Sequence, residues 1–94
     1  MKSVGYASIT TPDDTLDAQI DALRAAGCDL IFSEIVTGPG DPRPQLSIAL
    51  DALARGDEFV AMSMDRISRE SGYIALTLWV ILARRATLRL LSDR

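Results

Sequence analysis

Short apolar runs alternate with amphipathic stretches along the whole of this chain, and only a few residues link one to the next. Residues 2–8 form a short β-leaning run. A helix is expected over about 16–26, with Thr15 as its N-cap, Leu16, Ile20 and Leu23 on one face, and Gly27 as its stop. Leu30-Ile31-Phe32 opens a second strand that runs to about Val36. Gly38-Pro39-Gly40-Asp41-Pro42 is loop chemistry. A second helix is expected over about 43–55, with Leu46, Leu50 and Leu53 in phase and Gly56 behind it. Glu58 to Met64 reads as a buried strand, about 71–85 as a third helix, and Thr87 to Leu91 as a last strand. Strands that alternate with helices across short links imply an α/β domain, with a mostly parallel sheet of about four strands and flanking helices. At 94 residues and 48% apolar content, the chain is long enough for one such domain and its core.

Parallel sheets carry their functional groups beyond the carboxyl ends of the strands. Ser8 and Thr10 are expected just past the first strand, Thr37 past the second, and Asp65, Arg66 and Arg69 past the third. Three loops then meet on one sheet edge, where hydroxyls face arginines, and the implied ligand is anionic. Should a helical turn begin at Asp65, Arg66 and Arg69 would share a face and grip one phosphate together. The competing reading is a surface ion-pair loop.

Composition removes several classes of chemistry. The chain has no histidine, hence no histidine general base, His-ligated metal or catalytic triad. Its single cysteine, Cys28, allows no internal disulfide or cysteine metal cluster and is expected to be a buried structural thiol. Gly38–Gly40 lacks the spacing and the Lys-Ser/Thr ending of a nucleotide loop. Asp13, Asp14, Asp17 and Asp21 suit the positive end and the outer face of the first helix better than a cation. A net charge of −3 argues against tight nonspecific binding to nucleic acid by this segment alone. Met1-Lys2 leads directly into a strand pattern, and a reducing cytoplasm is the expected location. Ile74 to Ala83 is apolar apart from Thr77, with Trp79 in its middle. It is too short to span a bilayer, so it is either buried or set against a partner.

Several of these segments together resemble one family. Gly5-Tyr6-Ala7-Ser8-Ile9-Thr10-Thr11, Leu16-Asp17 with Gln19, Val36-Thr37-Gly38, Arg43-Pro44 with Leu46, and Asp65-Arg66-Ile67-Ser68-Arg69 stand in order along the chain. They are similar to the active-site segments of the serine recombinases, the resolvase/invertase family of DNA recombinases found on mobile elements. The resemblance implies a resolvase-like catalytic domain. Its chemistry is phosphoryl transfer from a DNA phosphodiester to a protein hydroxyl, with no metal or other cofactor. It implies phosphate-binding roles for Arg43, Arg66 and Arg69, an orienting role for Asp65, and places at or near the pocket for Tyr6, Gln19 and Thr37. Thr10 takes the position of the family's nucleophilic serine, and Ser8 that of a pocket arginine. The expectation is therefore a domain impaired in strand cleavage. Family members continue into a long dimerisation helix and a helix-turn-helix domain, which residues 1–94 do not include. The expected partners are DNA and either a second copy or a full-length recombinase, with no membrane. The alternative is a catalytically dead module that pairs with an intact recombinase through the apolar third helix.

Overall fold

The structure is a computed structural model, and it describes residues 1–10, 15–36 and 42–92. The elements in chain order are β1 (Ser3–Ile9), α1 (Thr15–Ala25), β2 (Leu30–Ile35), α2 (Pro44–Asp51), β3 (Glu58–Ala61), α3 (Met64–Ile67), α4 (Ser71–Ala83) and β4 (Thr87–Leu90). The four strands form one parallel sheet in the order β2-β1-β3-β4, as the alternating pattern predicts. β1 is paired on both edges: Val4 lies opposite Leu30 and Phe59, and Gly5 opposite Ile31 and Val60.

Alternation along β1 sends successive side chains to opposite faces. Val4 and Tyr6 enter the larger core with Leu46, Leu50 and Leu53, with Phe59, and with Ile67 and Ile81. Ala7 enters the smaller core with Leu23 and Val60, against Leu16, Ile20 and Cys28. One face thus packs on α2 and α4, the other on α1. Gly5 permits the close approach of α1: a Cβ there would lie 3.1 Å from Cys28 Sγ and 3.3 Å from a Leu23 methyl. Cys28 is half-buried in this contact, and desolvation pushes its thiol above the ordinary value.

The structure corrects several expected boundaries. Thr15 is the first helical residue rather than the cap before it. Ser8 lies inside β1, not beyond it. β3 stops at Ala61 because the chain turns into the one-turn helix α3 three residues later, at Met64. α2 ends at Asp51, where Arg84, at the end of α4, meets its last carbonyls and one just beyond: Nη1 donates to Leu50 O (3.4 Å), Asp51 O (3.2 Å) and Leu53 O (2.9 Å). A cation at a helix C-terminus also meets the negative end of its dipole. The apolar α4 buries only Thr77 and Ile81 outright, whereas Trp79 is 66% and Leu82 77% exposed. No helix among the described residues is long and apolar enough to cross a membrane.

Two helices end in the same motif with different residues. After α1, Cys28 N–H donates to Leu23 O and Gly27 N–H to Arg24 O, with Gly27 at φ 89°. After α4, Ala86 N–H donates to Ile81 O and Arg85 N–H to Leu82 O, with Arg85 at φ 56°. Both are Schellman caps, but at the second a side chain stands in the left-handed region. Arg85→Gly should raise stability by about 0.5–1 kcal/mol, read as a higher urea midpoint at unchanged slope.

Asp57, buried at the entry to β3, ties down the start of the sheet. Its carboxylate accepts from Lys2 N–H (2.9 Å), Lys2 Nζ (2.5 Å) and Ala54 N–H (2.8 Å). These bonds, those from Lys2 foremost, hold the carboxyl far below the usual range. A carboxyl depressed on folding stabilises above its unfolded pKa and loses that contribution as pH falls below about 4. Asp57→Asn should therefore lower the melting temperature at neutral pH, and the two proteins should converge as pH drops through that range.

Candidate active site

In the order β2-β1-β3-β4, the chain leaves β1 toward one side of the sheet and β3 toward the other. The crevice between their carboxyl ends is a topological switch point, where such sheets bind ligands. Thr10 follows β1 there and is exposed. α3 follows β3 there and carries Asp65 and Arg66, with Arg69 just beyond. Thr37 lies outside the described residues, as do Asp13, Asp14 and Gly38–Asp41.

The α3 side is built around one carboxylate. Ser63 Oγ donates to Asp65, whose Oδ2 lies 3.9 Å from Arg69 Nη2. The Ser63 bond, helped by the charges of Arg66 and Arg69, keeps the Asp65 carboxyl below its ordinary value against the opposing effect of burial. Asp65 is thus an anion near two guanidinium groups and has no proton to give at neutral pH. Arg69 is 75% exposed at its side chain. Arg66 is partly exposed and makes no ion pair or side-chain hydrogen bond among the described residues; it lines a cleft of about 320 Å³ with Gln19, Ser63, Asp65 and Ser92. Arg66 lies on α3 and Arg69 beyond its extended exit at Ser68, so the two do not share a helical face as the sequence suggested; two cations so close along the chain still suit a tetrahedral oxyanion.

The other expected pocket residues are committed inward. Tyr6 is fully buried and donates to Glu34 Oε2 at 2.6 Å. Burial and the Glu34 carboxylate push its hydroxyl well above the ordinary phenol value, with Arg43 opposing, so Tyr6 stays neutral. Arg43 packs its guanidinium over Tyr73 at 5.2 Å, donates to Ile67 O at 3.1 Å and faces Glu70 at 3.9 Å, with its side chain 7% exposed. Ser8, 6% exposed, donates its hydroxyl to Arg66 O. Gln19 Nε2 donates to Ser8 O at 2.9 Å, while its Oε1 is buried without a hydrogen-bond partner among the described residues.

Glu34 is the residue that sequence reasoning missed. Besides Tyr6, it accepts from Gln45 N–H (3.2 Å) and Leu46 N–H (3.1 Å), in the first turn of α2. α2 has no side-chain cap of its own and begins with Pro44, so a carboxylate from β2 does the capping. A lone acid in the otherwise apolar-and-serine strand Leu30–Ile35 was the available signal.

A profile of the Resolvase family, described as "Resolvase, N terminal domain", matches residues 3–94. The chain is 44% identical over 70 residues to the Transposon Tn917 resolvase of Enterococcus faecalis, covering 74% of this chain and 38% of that protein. It is 33% identical over 90 residues to the serine recombinase gin of Escherichia phage Mu, covering 96% and 47%. The chain thus spans less than half the length of these curated relatives. Among solved structures, the first ORF in transposon ISC1904 from Sulfolobus solfataricus P2 superposes with a TM-score of 0.80 at 20% identity, over all of this chain and 70% of that one, a likeness of fold. Matched along nearly its whole length, the chain belongs to the resolvase family of serine recombinases and corresponds to that family's N-terminal domain.

Proposed function

We propose that this chain is the phosphate-gripping catalytic domain of a site-specific DNA recombinase of mobile-element type, acting in the cytoplasm with a slowed nucleophile. The observation that supports this reading is the placement of an exposed Thr10 after β1 and of Arg66 and Arg69 after the neighbouring β3, at one switch point of the sheet. In the proposed step, Thr10 Oγ1 attacks the phosphorus of a DNA phosphodiester. The P–O3′ bond breaks, the 3′ oxygen leaves with a proton, and a 5′-phosphothreonyl link forms. Arg66 and Arg69 hold the non-bridging oxygens as their charge grows. The threonine methyl restricts χ1 and crowds in-line attack, and small misplacements of a nucleophile slow such steps by about a hundredfold.

The measurement is a covalent protein–DNA adduct that survives denaturing gels, formed at high protein concentration on supercoiled plasmid DNA. Thr10→Ser should speed its formation by up to about a hundredfold, and Thr10→Ala should abolish it. An adduct that persists in Thr10→Ala sinks the assignment of the nucleophile. Absence of any adduct, even with Thr10→Ser, sinks the catalytic reading for this chain.

A second reading is favoured by α4. Trp79 and Leu82, with Leu76, Leu78 and Ile48 of α2 also 42–47% exposed, make an apolar surface suited to another copy or a full-length recombinase. Light scattering after gel filtration should show self-association, or association with an added full-length recombinase, that Trp79→Glu weakens. A wild-type chain that stays monomeric and elutes apart from the recombinase counts against this reading.

A further inference from the structure

We propose that Ser8 and Arg43 are positioning residues that fasten the carbonyl side of α3 and so hold Arg66 toward its phosphate, an inference that rests on the phosphate-binding reading above. α3 is a single turn, Met64–Ile67, and a lone turn does not hold itself together. It is entered from extended backbone at Ser63 (φ −161°) and left through extended backbone at Ser68 (φ −170°), so no neighbouring helical residues support it. Its own ladder satisfies Met64 O, which accepts from Ser68 N–H at 3.0 Å. The carbonyls of its last residues need partners from elsewhere.

Two buried side chains supply them. Ser8 Oγ reaches Arg66 O from β1, and Arg43 Nη1 reaches Ile67 O from the start of α2. Each donor is itself fixed. Gln19 holds the Ser8 carbonyl from α1, and Arg43 lies on the Tyr73 ring beside Glu70. Glu34 in turn caps the first turn of α2, which follows Arg43 directly. α3 is thereby gripped through its backbone from β1 and from the start of α2, while its Ile67 side chain is buried in the larger core. Among the described residues, the Arg66 side chain makes no ion pair or hydrogen bond, and it lines the cleft.

This assigns different work to both residues than their places in the family pattern imply. The Ser8 hydroxyl is spent on a carbonyl. Arg43 faces a carbonyl and an aromatic ring, not solvent, and acts through α3 rather than on phosphate. The two contacts add geometry to Arg66 without adding charge to the pocket.

The test follows the Ser68 amide by hydrogen exchange and the Arg66 Nε–H by NMR during titration with inorganic phosphate. Ser8→Ala should speed Ser68 exchange roughly three- to tenfold and weaken phosphate binding by a similar factor, with α1 amides such as Leu23 unchanged. Ser8→Thr, which restores a hydroxyl, should recover both, and Arg43→Gln should repeat the loss. Faster Ser68 exchange with unchanged phosphate affinity overturns the positioning role, as do unchanged values of both. No Arg66 response to phosphate in the wild type overturns the phosphate-binding reading itself and the positioning role with it. A wild-type response that Ser8→Ala leaves intact overturns the positioning role and leaves the phosphate-binding reading standing.

Discussion

Pairing of β1 on both edges is the constraint from which the other features follow. A strand with parallel neighbours on each side has its backbone groups engaged in two ladders, and here its two faces are covered as well. Its residues therefore have little freedom to move without disturbing both cores. That rigidity passes to whatever the strand touches at its carboxyl end. Tyr6 and Ser8 share the α2 face, and each uses its hydroxyl to anchor something else: Tyr6 the Glu34 carboxylate, Ser8 the backbone of α3. The central strand thus serves less as a supplier of reactive groups than as the reference against which mobile-looking segments are placed.

The site divides into an arginine side and a hydroxyl side with different physics. On the arginine side, Asp65 is kept ionised by Ser63 and by nearby positive charge, so it gathers Arg66 and Arg69 without neutralising both. On the hydroxyl side, Thr10 stands exposed just past the ladder, where the backbone loses the support that fixes Ser8.

Much of this was legible in the sequence because it depends on local patterns. Apolar runs bounded by Gly27 and Gly56 announced the sheet and its order of helices. The places of Thr10 past β1 and of Asp65, Arg66 and Arg69 past β3 followed from the rule that such sheets carry functional groups beyond their strand ends. What escaped depends on partners distant in the chain. The helical turn entertained at Asp65 does form, but over Met64–Ile67 only, four residues that offer no periodicity from which its end could be read. Glu34 acquires its role only when β2 lies beside β1 and below α2. The burial of the Arg43 guanidinium on Tyr73 and its bond to Ile67 O likewise depend on residues 24 or more positions away.

Trp79 is the one tryptophan of the chain, and it stands on the outer side of α4, 66% exposed. An indole in that position is already surrounded largely by water in the folded state. Its emission is consequently insensitive to whether the domain is folded, and ordinary fluorescence melts of this protein will be nearly silent. The same side chain becomes a sensitive optical probe once anything dry is laid over α4, since its spectrum then shifts to the blue. The fold has in this way set its intrinsic chromophore to report on company rather than on order.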